Sequence, residues 1–318
     1  MADITIGLHG GAGALPRDQL SEAEWAQARA DMKAALLAGW KILRAGGTAL
    51  DAVEACVIVL EDSPHFNAGH GAALNADGEH ELDAAIMDGA TFRAGALAGV
   101  RRIRNPISAA RRLLEQDDTV LLGGAAGDAF AAGEGLAMVD PAYFTTERRV
   151  KALASLKARA LAGTVAQASE GEKHGTVGAV ARDSRGNLAA ATSTGGFNNK
   201  PVGRIGDSPI IGAGTYAENG IAAVSGTGRG EVFIRRVAAH EVAARIRLGG
   251  AEIGKAAHGV IHDVLSPHGI GAGMIALGAA GDPVAPYNTL GMHRGWITTA
   301  GAIFAGSHED MVAMGLAP

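Results

Sequence analysis

A chain of 318 residues, 47% of them hydrophobic, is long enough to bury a sizeable core as one large domain or two modest ones. Its net charge of −5 mixes both signs, which gives no basis for nucleic-acid or membrane-surface binding, and no stretch approaches ~18 uninterrupted apolar residues. A single cysteine, Cys56, cannot form an internal disulfide, and the start shows no basic segment followed by an apolar run, so a cytoplasmic protein is expected.

Residues 2–13 alternate as a strand and end in the glycine-rich turn "HGGAG". Residues 21–47 predict a helix, with Ser21 and Glu24 as a capping-box pair and Gly46-Gly47 as the stop. A second helix follows, with Thr48 as cap and Pro64 just past its end. "FNAGHGAALNADG" is turn-rich, and residues 80–89 and 92–100 are short strands. Residues 105–116 form a helix with Pro106 in the first turn, then a strand "TVLLGG" and a short helix from Gly127.

Residues 140–175 open on Pro141, carry a charged helical piece and finish in polar "QASEGEKHG", a composition that predicts an exposed, partly mobile connector. Next come "TVGAVAR", the turn "DSRGN" and "LAAATST", a β-hairpin pattern. The strand "IAAVSGTG" leads into one long amphipathic helix over 231–250. A helix over 252–265, the strand "GMIALG", a Gly-Asp-Pro turn and a strand-like C-terminus complete the chain. Two apolar sheets covered by helices account for this order better than an alternating parallel sheet.

The bond between Gly175 and Thr176 lies where loop becomes strand. Thr176 reads first as a β-favouring residue that opens the strand. If the chain is cut there, Thr176 becomes an N-terminal nucleophile whose own α-amine, with an ordinary pKa of about 7.7–8.0, accepts the hydroxyl proton. "SGTGRGE" is either a tight strand-to-helix turn or an anion cradle. It is not a dinucleotide fingerprint, because Glu231 stands where the last glycine would be. Arg204 and Asp207 in "GRIGDSP" form either a surface ion pair or a clamp for a zwitterion. His65, His70 and His80, with Glu81 and Asp83 in "HELDA", match no defensible zinc spacing.

"HGGAG", "FNAGHGA", "HELDAAIMDG", "HGTVGAV", "GNLAAATSTGG", "GRIGDSPIIGAGTYA" and "TGRGE" occur in the order seen in plant-type L-asparaginases, or isoaspartyl (β-aspartyl) peptidases, which are N-terminal-nucleophile hydrolases. The chain resembles that family over nearly its whole length, least in the connector and after about residue 288. The resemblance implies an α+β fold, a four-layer αββα sandwich forming one domain over 1–318. It implies autocleavage at Gly175–Thr176 into subunits 1–175 and 176–318.

Thr176 would be the nucleophile, beside Thr194 and Asn67, with Thr227 and Gly228 as oxyanion hole. Arg204 would hold the substrate α-carboxylate and Asp207 its α-ammonium, with Gly228 and Gly230 completing the pocket. A structural Na⁺ would sit on the carbonyls of Leu60, Glu61, Ser63, Phe66, Ala68 and His70, and no cofactor would serve catalysis. The substrate would be L-asparagine or a β-aspartyl dipeptide, and the assembly an (αβ)₂ homodimer. Alternatives are a glycosylasparaginase-like amidase and an uncut, non-catalytic small-molecule-binding protein. Arg229 departs from the threonine or histidine more usual in the family, and either favours an anionic leaving group or points to solvent.

Overall fold

The computed structural model describes residues 3–13, 16–19, 21–116, 118–163 and 175–318. The expected polar end of the connector, apart from Gly175, lies outside the described residues. Strand β1 (Thr5–Ala12) is followed by helices α1 (Glu22–Arg44) and α2 (Ala49–Asp62). Strands β2 (Leu82–Asp88) and β3 (Ala94–Val100) precede α3 (Pro106–Gln116), β4 (Leu121–Gly123), α4 (Gly124–Gly133) and α5 (Glu147–Leu161). Strands β5 (Val177–Arg182), β6 (Leu188–Thr194), β7 (Thr215–Glu218) and β8 (Ala222–Gly228) lead to α6 (Gly230–Arg236), α7 (Ala238–Gly249) and α8 (Ile253–Gly259). Strands β9 (Ala272–Gly278), β10 (Met292–Ile297), β11 (Ala302–Gly306) and β12 (Val312–Leu316) end the chain.

Among the described residues, nine strands pair in the order β12-β11-β10-β1-β5-β6-β2-β3-β4, and β7-β8-β9 form a second sheet. All neighbours are antiparallel except β3 and β4. Strand alternation explains how one hairpin serves two cores. Val177, Ala179 and Ala181 of β5 join the core under α1, α2 and α3, while Val180 joins the core shared with β8, β9, α7 and α8. Helix, large sheet, small sheet and helix are therefore stacked as an αββα sandwich.

Between the sheets, Gly178 makes close approach feasible, because a Cβ there would collide with Ser225 Oγ. Across that gap run hydroxyls: Thr215 Oγ1 donates to Thr192 Oγ1 at 2.6 Å, Thr192 and Ser225 meet at 2.7 Å, and Ser225 meets His9 Nε2 at 2.9 Å. Burial pushes the His9 imidazole down to about 3, so it stays neutral.

Local signals were mostly followed. The Ser21–Glu24 capping box makes both of its bonds, and the hairpin 176–194 forms around Asp183, whose Oδ1 accepts the N–H groups of Arg185 and Asn187. Three expectations need correction. The helix expected from Gly127 starts at Gly124.

The single long helix over 231–250 breaks at Val237, whose φ of 48° and ψ of 48° are left-handed. The break frees the N–H groups of Ala239 and His240 to donate to the carbonyls of Ala213 and Gly212. The connector is not simply exposed: α5 buries Arg149, Leu153 and Leu156 on one face. Among the described residues, no helix is long and apolar enough to cross a membrane.

Candidate active site

Three strand ends converge at the Gly175–Thr176 bond. The Gly175 carbonyl accepts from Thr176 Oγ1 at 2.6 Å, Asn67 Nδ2 at 2.9 Å and Thr194 Oγ1 at 3.1 Å, and the two threonine hydroxyls lie 3.1 Å apart. Asn67 is held firmly, since its Nδ2 also donates to Gly196 O at 2.6 Å and its Oδ1 accepts from Ala73 N at 2.6 Å. Gly175 has φ +158°, where a Cβ would press on the Asn67 side chain. A peptide carbonyl is thus polarised by Asn67 and Thr194 while the hydroxyl of Thr176, a residue 6% exposed, sits beside it.

Thr227, on β8, belongs to the same neighbourhood. Gly11 packs against Gly175 and Thr176, and the next residue donates its N–H (Ala12) to Thr227 Oγ1 at 3.1 Å. That bond occupies a lone pair of the hydroxyl and leaves its hydrogen to be donated. Gly228 follows with φ +149°, where a Cβ would strike Gly271 O.

A charged pocket lies beyond Gly196. Arg204 donates Nε to Glu231 Oε1 at 3.0 Å, and its guanidinium lies 4.6 Å over the Phe197 ring. Fixing Nε leaves the Nη1–Nη2 fork for a planar anion. Gly196, Gly206 and Gly230 crowd that fork, and a Cβ on Gly230 would strike both Arg204 Nη2 and Asp207 Oδ1.

Asp207 is buried and its Oδ2 has no hydrogen-bond partner among the described residues. Burial pushes it up to about 7, against the pull of its own backbone N–H and of Arg204. An unpartnered buried acceptor beside an aimed guanidinium suits a ligand carrying both an ammonium and a carboxylate.

The sequence profile of the Asparaginase family matches residues 2–304. The chain belongs to that family. It is 46% identical over 302 residues to "Isoaspartyl peptidase" of Salmonella typhimurium, covering 93% of this chain and 96% of that protein. The Escherichia coli "Isoaspartyl peptidase" is also 46% identical, over 301 residues and 93% of both chains. The human "Isoaspartyl peptidase/L-asparaginase" is 45% identical over 236 residues, 74% of each.

In this asparaginase-family chain the loop after α2 offers neutral carbonyls. Arginines of α5 occupy some: Arg149 Nε donates to Gly71 O at 2.6 Å, and Arg148 Nη2 to His65 O at 2.9 Å and Pro64 O at 3.2 Å. Leu60 O accepts from Ser63 N and Glu61 O from His70 N. Among the described residues no donor reaches the carbonyls of Ser63, Phe66, Ala68 or His70. Open neutral carbonyls are the chemistry that suits a hard monovalent cation. The Glu61 carboxyl points the other way, into the core, accepting from Ser193 Oγ at 2.6 Å, and burial pushes it up to about 8.

The three histidines do not cluster. His65 pairs with Asp31 at 2.9 Å and His80 with Thr145 at 2.9 Å, and among the described residues no three His, Cys, Asp or Glu side chains could share a metal. Sequence reading missed Glu231 and Phe197 as the supports of Arg204. Glu231 was visible only as the residue that spoils a glycine fingerprint. Arg229 is 61% exposed, with Nε 3.8 Å from Glu231 Oε2.

Proposed function

We propose that this chain is a self-processing amidohydrolase that releases L-aspartate from L-asparagine and β-aspartyl dipeptides. The observation that carries this reading is the Gly175 carbonyl, held by Asn67 and Thr194 with the Thr176 hydroxyl beside it. The Arg204–Asp207 pocket two glycines away supports the aspartyl half of the substrate. The names of the relatives support the same activity and give no weight to a glycosylasparaginase-like amidase or to an uncut binding protein.

In the first event, Thr176 Oγ attacks the Gly175 carbonyl carbon and its proton passes to the departing nitrogen. The C–N bond breaks, leaving an ester and a free Thr176 α-amine. Water then cleaves the ester to a Gly175 carboxylate. In turnover, the α-amine takes the proton of Thr176 Oγ as it attacks the substrate's side-chain carbonyl, while Thr227 and Gly228 meet the oxyanion. The proton goes to the leaving nitrogen, ammonia or an amino acid departs, and water releases aspartate.

Arg204 takes the α-carboxylate in this scheme and Asp207 the α-ammonium. A structural Na⁺ would rest on the open carbonyls of Ser63, Phe66, Ala68 and His70, with Leu60 and Glu61 sharing theirs, and no cofactor enters the chemistry. Two αβ units would pair as a homodimer, which light scattering would measure. The decisive assay follows aspartate release from L-asparagine and a panel of β-aspartyl dipeptides by the unsubstituted protein and by Thr176→Ala. Release by the first alone is expected; release by both would refute the mechanism.

A further inference from the structure

Two carboxylates of "HELDA" stand outside the chemistry above. Glu81 lies just before β2 and Asp83 within it, two residues apart. Each reaches the loop that carries Arg204. Glu81 Oε1 and Oε2 both accept the N–H of Gly203 at 3.1 Å, and Oε1 also accepts Arg101 Nη2 at 2.9 Å. Asp83 Oδ2 accepts the N–H of Gly206 at 3.3 Å, and its Oδ1 that of Gly99 at 2.8 Å. Gly203 and Gly206 bracket Arg204 and Ile205, so the clamp arginine is pinned on both sides through its own backbone.

Charge balance points the same way. Lys200 is fully buried and donates Nζ to the Glu81 carbonyl at 2.7 Å. Its ammonium and Arg204 Nη1 both border Gly196. Two cations so close in a poorly hydrated region repel each other and need anions nearby. Burial pushes the fully buried Asp83 carboxyl up, and the neighbouring Lys200 and Arg204 pull it back toward the charged form; Asp83 and Glu81 in turn favour the charged form of Lys200.

We propose that Asp83, with Glu81 beside it, is a positioning residue for recognition of the substrate's α-carboxylate. It fixes the aim of Arg204 through the Gly206 N–H and by balancing Lys200, and takes no part in the chemistry at Thr176. The inference rests on Arg204 as the carboxylate clamp. One rival lies close: Asp83 is the cross-strand neighbour of Thr194 in the β2–β6 register, so it could act on the nucleophile's partner instead. The two roles separate kinetically, since a misaimed clamp weakens binding and a displaced Thr194 slows the chemical step.

The test is steady-state hydrolysis of L-asparagine by Asp83→Asn and Glu81→Gln, together with L-aspartate binding by calorimetry. Asp83→Asn is expected to raise KM and the L-aspartate dissociation constant about tenfold, with kcat and the rate of self-cleavage within about twofold. Glu81→Gln should show the same pattern at about threefold. A fall in kcat with unchanged KM would transfer the role to Thr194, and unchanged values in both variants would overturn the inference. If Asp83→Asn does not fold, Glu81→Gln and Arg101→Ala read the same loop from the Gly203 side. Calorimetry needs no turnover: an inactive unsubstituted protein would sink the proposed function, whereas unchanged L-aspartate affinity in the variants sinks this inference.

Discussion

The two ends of the site are built from different materials. Around Thr176 the groups are neutral: threonine hydroxyls at the ends of β5, β6 and β8, the Asn67 amide from the loop after α2, and backbone carbonyls. Around Arg204 the groups are charged: Asp207 on the same loop and Glu231 in the first turn of α6 at the pocket, with Lys200 on a loop and Glu81 and Asp83 at the start of β2 behind. Bond-making calls for sub-ångström placement, which paired strands supply, and neutral hydroxyls cost little to bury when they bond one another. Holding a zwitterion calls for charge, and buried charge must be balanced group by group. The segment Thr194–Gly195–Gly196 joins the two ends: Gly196 donates its N–H to Thr194 Oγ1 at 2.9 Å, and its carbonyl accepts from Asn67.

Substitutions can break this division. The largest effect is expected at the neutral end, where Thr176→Ala should abolish self-cleavage and cut aspartate release by ~10³-fold or more, read by gel and by coupled assay. At the charged end Arg204→Lys keeps the charge but loses the fork, so KM for L-asparagine should rise about 10- to 100-fold with kcat little changed. An equal loss in kcat would erase the distinction between the ends.

Protonation of Asp207, pushed up to about 7, should lower kcat/KM as pH falls below that value, by about tenfold per pH unit, and Asp207→Asn should flatten the profile at a low level. Its effect on stability has the opposite sense. The folded value lies above the ordinary 3.8, so the residue favours the fold at low pH and that contribution is lost as pH rises to about 7. Replacing Na⁺ by choline should lower Tm by a few degrees, about 1 kcal/mol, without touching the pocket. The smallest effect is expected for Arg229→Thr, within about twofold for L-asparagine and for β-aspartyl dipeptides alike, because its exposed side chain only grazes Glu231.

The hairpin that carries the neutral end was legible from local pattern, but "GTV" alone reads as a strand start, and only the ordered company of "TSTGG" and the other motifs pointed to Thr176 as a nucleophile. Ser21 with Glu24, and Thr48 before α2, were legible from local pattern too: capping is local chemistry. The break at Val237 was not, since a β-branched residue in left-handed backbone is chosen by distant carbonyls, Gly212 and Ala213, that no helical period encodes. Strand β7 was hidden in a loop-like "GTYAE" and exists because β8 pairs with it. Glu231, Lys200 and Asp83 act across separations of 27 to 123 residues in sequence, so their residue types hinted at charge without saying whom they serve.

All of this depends on the Gly175–Thr176 bond being the protein's first substrate. Intact-mass measurement and N-terminal sequencing of the purified protein after prolonged incubation test that directly. The account predicts two fragments, one ending at Gly175 and one beginning TVGAV. A single uncut chain that still releases aspartate would contradict it.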